Sequence, residues 1–156
     1  MRDSSRRFST TGAPIFLKDE RIAHRTVLIV DDYADARELT RSVLNEISHG
    51  PSLKLIEAES GLEGLTVLAK ERVDLVIADW IMPGMNGLDM LKEIRKREKT
   101  KDIPVIMLTA VAKDTEVVAA IQAGATSYLL KPFTIQELEK KIMTALKIAP
   151  PKKGIP

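Results

Sequence analysis

The sequence predicts an α/β fold: a doubly wound sheet of five parallel strands with helices on both faces. Three observations carry this. Five short apolar runs alternate with five stretches of helical spacing between Thr26 and Ile148. The runs are continuously apolar rather than alternating, as strands buried on both faces must be. The chain has 156 residues, 44% of them apolar, which suits one domain with a substantial core. Right-handed crossovers then place helices on both sides of the sheet.

The first strand is Thr26–Val30, β-branched and apolar, ending at Asp31. Asp35–Ile47 follows as a helix, with Leu39, Val43, Leu44 and Ile47 at helical spacing, and His49-Gly50-Pro51 breaks it. Leu53–Ala58 is the second strand. Leu62–Lys70 is the second helix, with Leu62, Leu65 and Leu68 on one side. Val73–Ala78 is the third strand, ending at Asp79, and Pro83-Gly84-Met85-Asn86-Gly87 is turn chemistry. Leu88–Arg97 is the third helix, carried by Leu88, Leu91 and Ile94. Val105–Leu108 is the fourth strand, ending at Thr109, and Lys113–Ala123 the fourth helix, stopped by Gly124. Ser127–Leu130 is the fifth strand. Pro132 and Thr134 start the fifth helix, which buries Ile135, Leu138, Ile142 and Leu146. Residues 1–25 are read as a flexible basic arm with a short apolar patch at Ile15, Phe16 and Leu17. Residues 26–148 are the folded domain, and 149–156 a disordered tail.

Composition excludes several classes of function. No cysteine means no disulfide framework, thiol nucleophile or thiolate metal site. Two histidines, His24 and His49, do not make a multi-histidine zinc site and are read as incidental surface residues. No apolar run reaches the roughly 18 residues of a membrane span, and no apolar signal region follows the N-terminus, so a cytoplasmic location is expected. The net charge of +2 conceals an asymmetry: residues 1–25 carry +3, residues 147–156 carry +3, and the stretch between them −4. The basic character lies in the tails, which weakens a nucleic-acid reading of the domain.

In doubly wound folds the site lies beyond the carboxyl ends of the strands. There the sequence places Asp31 and Asp32, Asp79, Thr109 and Lys131. Each has an ordinary reading alone: Asp31-Asp32 as a helix cap, Asp79 as a turn residue, Thr109 as a strand-end threonine, Lys131 as a solvated lysine. Jointly they occupy equivalent places in the topology. Three clustered carboxylates repel, by about 4 kcal/mol per pair at ~4 Å and an effective dielectric near 20. A hard divalent cation such as Mg²⁺ offsets this, leaving Thr109 and Lys131 to hold an anion. Phosphoryl chemistry follows.

The stretches Val30-Asp31-Asp32, Asp79-Trp80-Ile81-Met82-Pro83-Gly84-Met85-Asn86-Gly87, Leu108-Thr109-Ala110 and Lys131-Pro132-Phe133 resemble the receiver domain of two-component response regulators. The likeness covers about Thr26–Ile148 and is strongest to single-domain chemotaxis regulators of the CheY type. It implies strand order 2-1-3-4-5 and a signalling switch rather than an enzyme. Asp79 would accept a phosphoryl group from a sensor histidine kinase or phosphotransfer protein. Asp32 would ligate Mg²⁺ directly, Asp31 through water, with Asp79 and the Ile81 backbone carbonyl as further ligands. Thr109 would bond a phosphoryl oxygen, Lys131 would pair with the phosphoryl group or Asp79, and Tyr128 would move inward with Thr109. Pro132 would follow a cis peptide. The target protein would bind the face of the fourth helix, fifth strand and fifth helix, in chemotaxis or a phosphorelay.

Departures from the family pattern are informative. Gly64 stands inside a helix where alanine is common, at roughly 1 kcal/mol against Ala. The chain runs a few residues long around Ser48–Ser52. Ile81 and Val111, two residues beyond Asp79 and Thr109, are apolar and are expected to shield an aspartyl-phosphate from water. Trp80 is expected to be half-buried and metal-sensitive. Arg95–Lys101 reads as a solvated helix end and loop, and Gly61-Leu62-Glu63-Gly64 is no dinucleotide fingerprint. An aspartyl-phosphate phosphatase of the haloacid-dehalogenase kind is the enzymatic alternative, although Asp31-Asp32-Tyr33-Ala34-Asp35 lacks that family's Asp-x-Asp-x-Thr spacing. A nucleic-acid-binding regulator is the third reading, supported only by the basic tails.

Overall fold

A computed structural model of the chain describes residues 24–48, 53–110 and 113–146. The proposed tail, most of the arm, the extra length at 49–52 and Val111 lie outside these residues. Five strands, β1 (Thr26–Val30), β2 (Lys54–Ala58), β3 (Leu75–Asp79), β4 (Val105–Thr109) and β5 (Ser127–Leu130), alternate with five helices. The helices are α1 (Ala34–Ser48), α2 (Gly61–Lys70), α3 (Gly87–Lys96), α4 (Asp114–Gln122) and α5 (Ile135–Ala145). All strand pairs are parallel, and the order is β2-β1-β3-β4-β5.

Successive side chains of a strand point to opposite faces, so each central strand feeds two cores. Val27, Ile29, Leu75, Ile77, Ile106 and Leu108 pack with Leu44 of α1 and with Leu138, Ile142 and Met143 of α5. Leu28, Val30, Val76, Ala78, Val105 and Met107 pack with Leu65 and Leu68 of α2 and with Met90, Leu91 and Ile94 of α3. Each fully buried Leu or Ile contributes roughly 1.5–3 kcal/mol relative to exposure. α4 is the least anchored helix, with Ala120 its one buried residue.

The helix starts are chemically specified. Ser60 caps α2 by accepting from the Glu63 amide, and Asn86 caps α3 by accepting from the Asp89 amide. Thr134 and Glu137 form a reciprocal capping box on α5. Gly64 has a packing reason: a Cβ there would stand 3.1 Å from Met90 Sδ and 3.2 Å from Val30 Cγ2. The absent side chain lets α2 approach both β1 and α3.

Four expectations are corrected. β3 begins at Leu75 rather than Val73, because the Asp74 side chain accepts from the Thr26 amide at 2.9 Å and the Asp74 amide donates to Thr26 O. Leu62 is exposed rather than buried with Leu65 and Leu68, since the close-packed stripe of α2 runs through Gly61 and Gly64. Leu39 is likewise exposed, while Thr40 and Leu44 face inward. The charge run from Arg95 is solvated at Lys96, Arg97, Glu98, Lys99 and Lys101, as expected, but not at Arg95 itself. Arg95 donates to the carbonyls of Gly124 (2.9 Å), Lys101 (3.1 Å) and Ile103 (2.7 Å), tying α3 to the loop before β4 and the turn before β5. In the same run, Thr100 is buried with its hydroxyl on Ile94 O, and Lys99 donates to Ala69 O. A planar guanidinium satisfies three carbonyls at once, which a charge count along the chain does not reveal.

Candidate phosphoryl-acceptor site

The strand register assembles the site. Val30 pairs with Ala78, so Asp31 and Asp79 follow side by side on neighbouring strands. Asp79 itself pairs with Leu108, so Thr109 lies one residue beyond it. Thr109 pairs with Leu130, so Lys131 comes directly after β5, and the Lys131 amide donates to Thr109 O at 2.8 Å. Parallel strands stand about 4.8 Å apart, which brings these side chains within reach of one another.

Asp31, Asp32 and Asp79 each offer a carboxylate oxygen, and the three oxygens lie within 4.8 Å of one another. Asp31 is buried, Asp79 half-buried and Asp32 exposed. Lys131 Nζ stands 3.3 Å from Asp31 Oδ2 and 3.3 Å from Asp79 Oδ1. One ammonium against three carboxylates leaves a deficit of two positive charges. Asp79 is held above its ordinary value chiefly by burial, and the Asp31 charge pushes the same way, while Lys131 opposes both. The donor set is all hard oxygen and fits a small divalent cation.

The surroundings hold these groups in place. Tyr33 N donates to Asp31 Oδ1 at 3.0 Å, and Arg37 Nη1 donates to Asp31 O at 2.7 Å. Arg37 Nε meets Glu57 Oε1 at 3.0 Å, and Arg41 pairs with the other oxygen of Glu57. Arg37 and Arg41 are thus the site's undetected supports. Their four-residue spacing on one side of α1, opposite the one acidic residue of β2, was the available signal. Beneath Asp79, Gly87 N donates to Trp80 O at 2.7 Å. A Cβ on Gly87 would come 2.3 Å from Asp79 O and 2.9 Å from Trp80 Cα, so only glycine fits against the acceptor strand.

Thr109 is buried at the end of β4. With Trp80, Glu116, Val117, Ala120 and Tyr128 it lines a void of about 10 Å³, one water at most. Tyr128 is half-buried, and Lys141 Nζ lies 5.9 Å from its ring centroid. Trp80 is half-buried, as expected from its sequence position. Ile81 is 65% exposed at the rim of the site. The Lys131–Pro132 peptide is cis, as expected. Asp35 is exposed in the first turn of α1, outside the carboxylate cluster, so it adds nothing to a phosphatase reading. No helix among the described residues is long and apolar enough to cross a membrane.

The comparisons with known proteins agree with this geometry. Residues 27–143 match the family model described as the response regulator receiver domain. The chain is 41% identical over 116 residues to the chemotaxis protein CheY-3 of Vibrio cholerae, covering 74% of this chain and 87% of that protein. It is 39% identical over 116 residues to the chemotaxis protein CheY of Pseudomonas aeruginosa, covering 74% and 91%. Among solved structures, CheY4 of Vibrio cholerae superposes with a TM-score of 0.73 at 31% identity, covering 80% of this chain and all of that one. A receiver domain protein of Clostridium thermocellum gives 0.70 at 32% identity, covering 79% and 94%. Neither the phosphatase nor the nucleic-acid alternative is favoured by these matches. With five parallel strands in the order 2-1-3-4-5 and three carboxylates and a lysine at their ends, the chain belongs to the response regulator receiver domain family.

Proposed function

We propose that the protein is a phosphorylatable switch in two-component signalling, with Asp79 as the phosphoacceptor. The observation that carries this is the carboxylate triad with Lys131 Nζ 3.3 Å from two of its members. An Asp79 oxygen attacks the phosphorus of a phosphohistidine on a sensor kinase or phosphotransfer protein. The P–N bond breaks, and the imidazole nitrogen leaves with the electron pair and takes up a proton. Asp32, Asp31 through water, Asp79 and the Ile81 carbonyl would hold Mg²⁺, which supplies charge neutralisation for the carboxylates and the incoming phosphoryl oxygens. Lys131 is close enough to Asp79 to follow the phosphoryl group once it arrives, and the Thr109 hydroxyl donates to another of its oxygens.

Thr109 and Tyr128 border one void, which supports their coupling: a shift of the threonine toward phosphate opens space for the ring. A two-state element biased by phosphate is the required physics. The target-binding face is formed by α4, β5 and α5. Val118 and Ile121 of α4 and Leu130 of β5 are exposed apolar residues there, and α4 is weakly anchored. The only reactions catalysed are the protein's own phosphorylation and dephosphorylation. The names of the relatives support a place in chemotaxis, with a phosphorelay as the other pathway.

The test uses a small acyl phosphate as donor with Mg²⁺ present. Wild type should acquire one acid- and base-labile phosphate, and Mg²⁺ alone should change Trp80 fluorescence. Asp79→Asn should acquire none. Undiminished labelling of that variant overturns the assignment.

A further inference from the structure

Within the carboxylate triad, Asp31 accepts from the Tyr33 amide at 3.0 Å and meets Lys131 Nζ at 3.3 Å, and Asp79 meets the same ammonium at 3.3 Å. Asp32 is different. Its carboxylate is exposed and, among the described residues, has no hydrogen bond or ion pair. Yet one of its oxygens lies within 4.8 Å of oxygens on both other carboxylates. Its placement must therefore come from the backbone.

The Cα of Asp32 joins two peptide planes, and among the described residues each plane is held by one hydrogen bond. The plane between residues 32 and 33 is held by the Tyr33 amide on Asp31 Oδ1. The plane between residues 31 and 32 is held by Arg37, whose Nη1 donates to Asp31 O at 2.7 Å. A peptide unit is rigid, so anchoring both planes leaves the Asp32 side chain a few staggered directions. Arg37 is itself held. Its amide donates to Tyr33 O at 3.0 Å, its Nε meets Glu57 Oε1 at 3.0 Å, and its side chain is only 12% exposed. Glu57 precedes Ala58, whose carbonyl accepts from the Asp31 amide at 3.1 Å. The edge strand β2 thus grips Asp31 twice: at its amide directly, and at its carbonyl through Glu57 and Arg37. A guanidinium fork makes both of those bonds at once, whereas an ammonium is a point charge on a flexible stem.

We infer that Arg37 is a positioning residue for the divalent cation: it sets the direction of the Asp32 carboxylate without touching the ion. The inference rests on the reading of the three carboxylates as a Mg²⁺ site. Charge and position make opposite demands on this residue. As a cation beside an acidic site, Arg37 repels Mg²⁺, so its charge alone predicts tighter binding once it is removed. Positioning predicts weaker binding. Groups that orient metal ligands typically account for about 10–100-fold in metal affinity, so the two effects are separated by the sign of one measurement.

The experiment is a calorimetric Mg²⁺ titration of the full chain, wild type against Arg37→Met. Methionine keeps most of the length of the side chain and loses every donor. The Mg²⁺ dissociation constant should rise about tenfold. Unchanged or tighter binding in the variant, beside a wild type that binds, overturns this inference alone. A wild type that binds no Mg²⁺ overturns the reading of the site and this inference with it. Ile142→Val, a change in the core between α5 and the sheet, should keep the wild-type affinity, and a loss there equal to that of Arg37→Met would make the effect general and overturn the assignment. A second readout needs no metal. In metal-free protein, backbone nitrogen relaxation should show the Asp32 and Tyr33 amides more mobile in Arg37→Met than in wild type. Equal order parameters at both amides overturn the inference.

Discussion

Glu139 on α5 is 2% exposed, and its Oε2 has no hydrogen-bond partner among the described residues. Burial pushes its carboxyl from an ordinary 4.5 to about 7. The folded protein therefore binds a proton that the unfolded chain has released between these two values. Below pH 4.5 the group is neutral in both states and exacts no penalty. As pH rises toward 7 the unfolded chain ionises first, so stability falls, and above the folded value the loss is complete. A shift of this size corresponds to about 3 kcal/mol. Glu139→Gln keeps the shape and removes the titration. Urea unfolding of both proteins should give a stability difference, variant minus wild type, that grows by about 3 kcal/mol between pH 4.5 and 8. With a urea dependence of about 2 kcal/mol per molar, the midpoints should separate by about 1.5 M more at pH 8 than at pH 4.5. Every other titrating group is shared and cancels in the difference. Parallel pH profiles would refute the reasoning.

Three further outcomes follow from the site. Gly87→Ala forces a methyl group against Asp79 O and should lower unfolding stability by about 1–3 kcal/mol, with a parallel loss of the Trp80 response to Mg²⁺; an unchanged urea midpoint would contradict the packing argument. Lys131→Met removes the ammonium that meets the Asp31 and Asp79 carboxylates, so calorimetry should find Mg²⁺ bound about tenfold more tightly, or ~1.4 kcal/mol, while phosphoryl uptake from an acyl phosphate declines. Ile81→Asn combined with Val111→Glu places polar groups two residues beyond Asp79 and Thr109. Such groups orient an attacking water, so phosphate loss should accelerate about tenfold, and a double variant no faster than wild type would remove the shielding role.

The sequence by itself determined the five strands, the five helices and which polar residues stand at the strand ends. It did so because a strand buried on both faces must be apolar along its length, and because the first polar residue after such a run marks where the sheet meets solvent. Val30-Asp31, Ala78-Asp79, Leu108-Thr109 and Leu130-Lys131 are four such junctions. Periodicity alone did not order the strands, since burial in one strand does not name its neighbour; the order came through the family resemblance. Tertiary structure decided the rest. Leu39 and Leu62 obey helical spacing yet face out, because the inward stripes of α1 and α2 are chosen by what packs closest to the sheet: Thr40 and Leu44 in one, two glycines in the other. Arg95 reads as one charge in a basic run, but the carbonyls of Lys101, Ile103 and Gly124 converge on it only after β4 and the turn before β5 are in place. Glu139 has the residue type of a solvated helix face and is buried nonetheless. The 3.3 Å contacts of Lys131 join residues 100 and 52 positions apart in the chain. Local pattern reports which face of an element is apolar, whereas the approach of distant elements sets which backbone must lack a side chain, which cation meets which carbonyl and which carboxylates share a site.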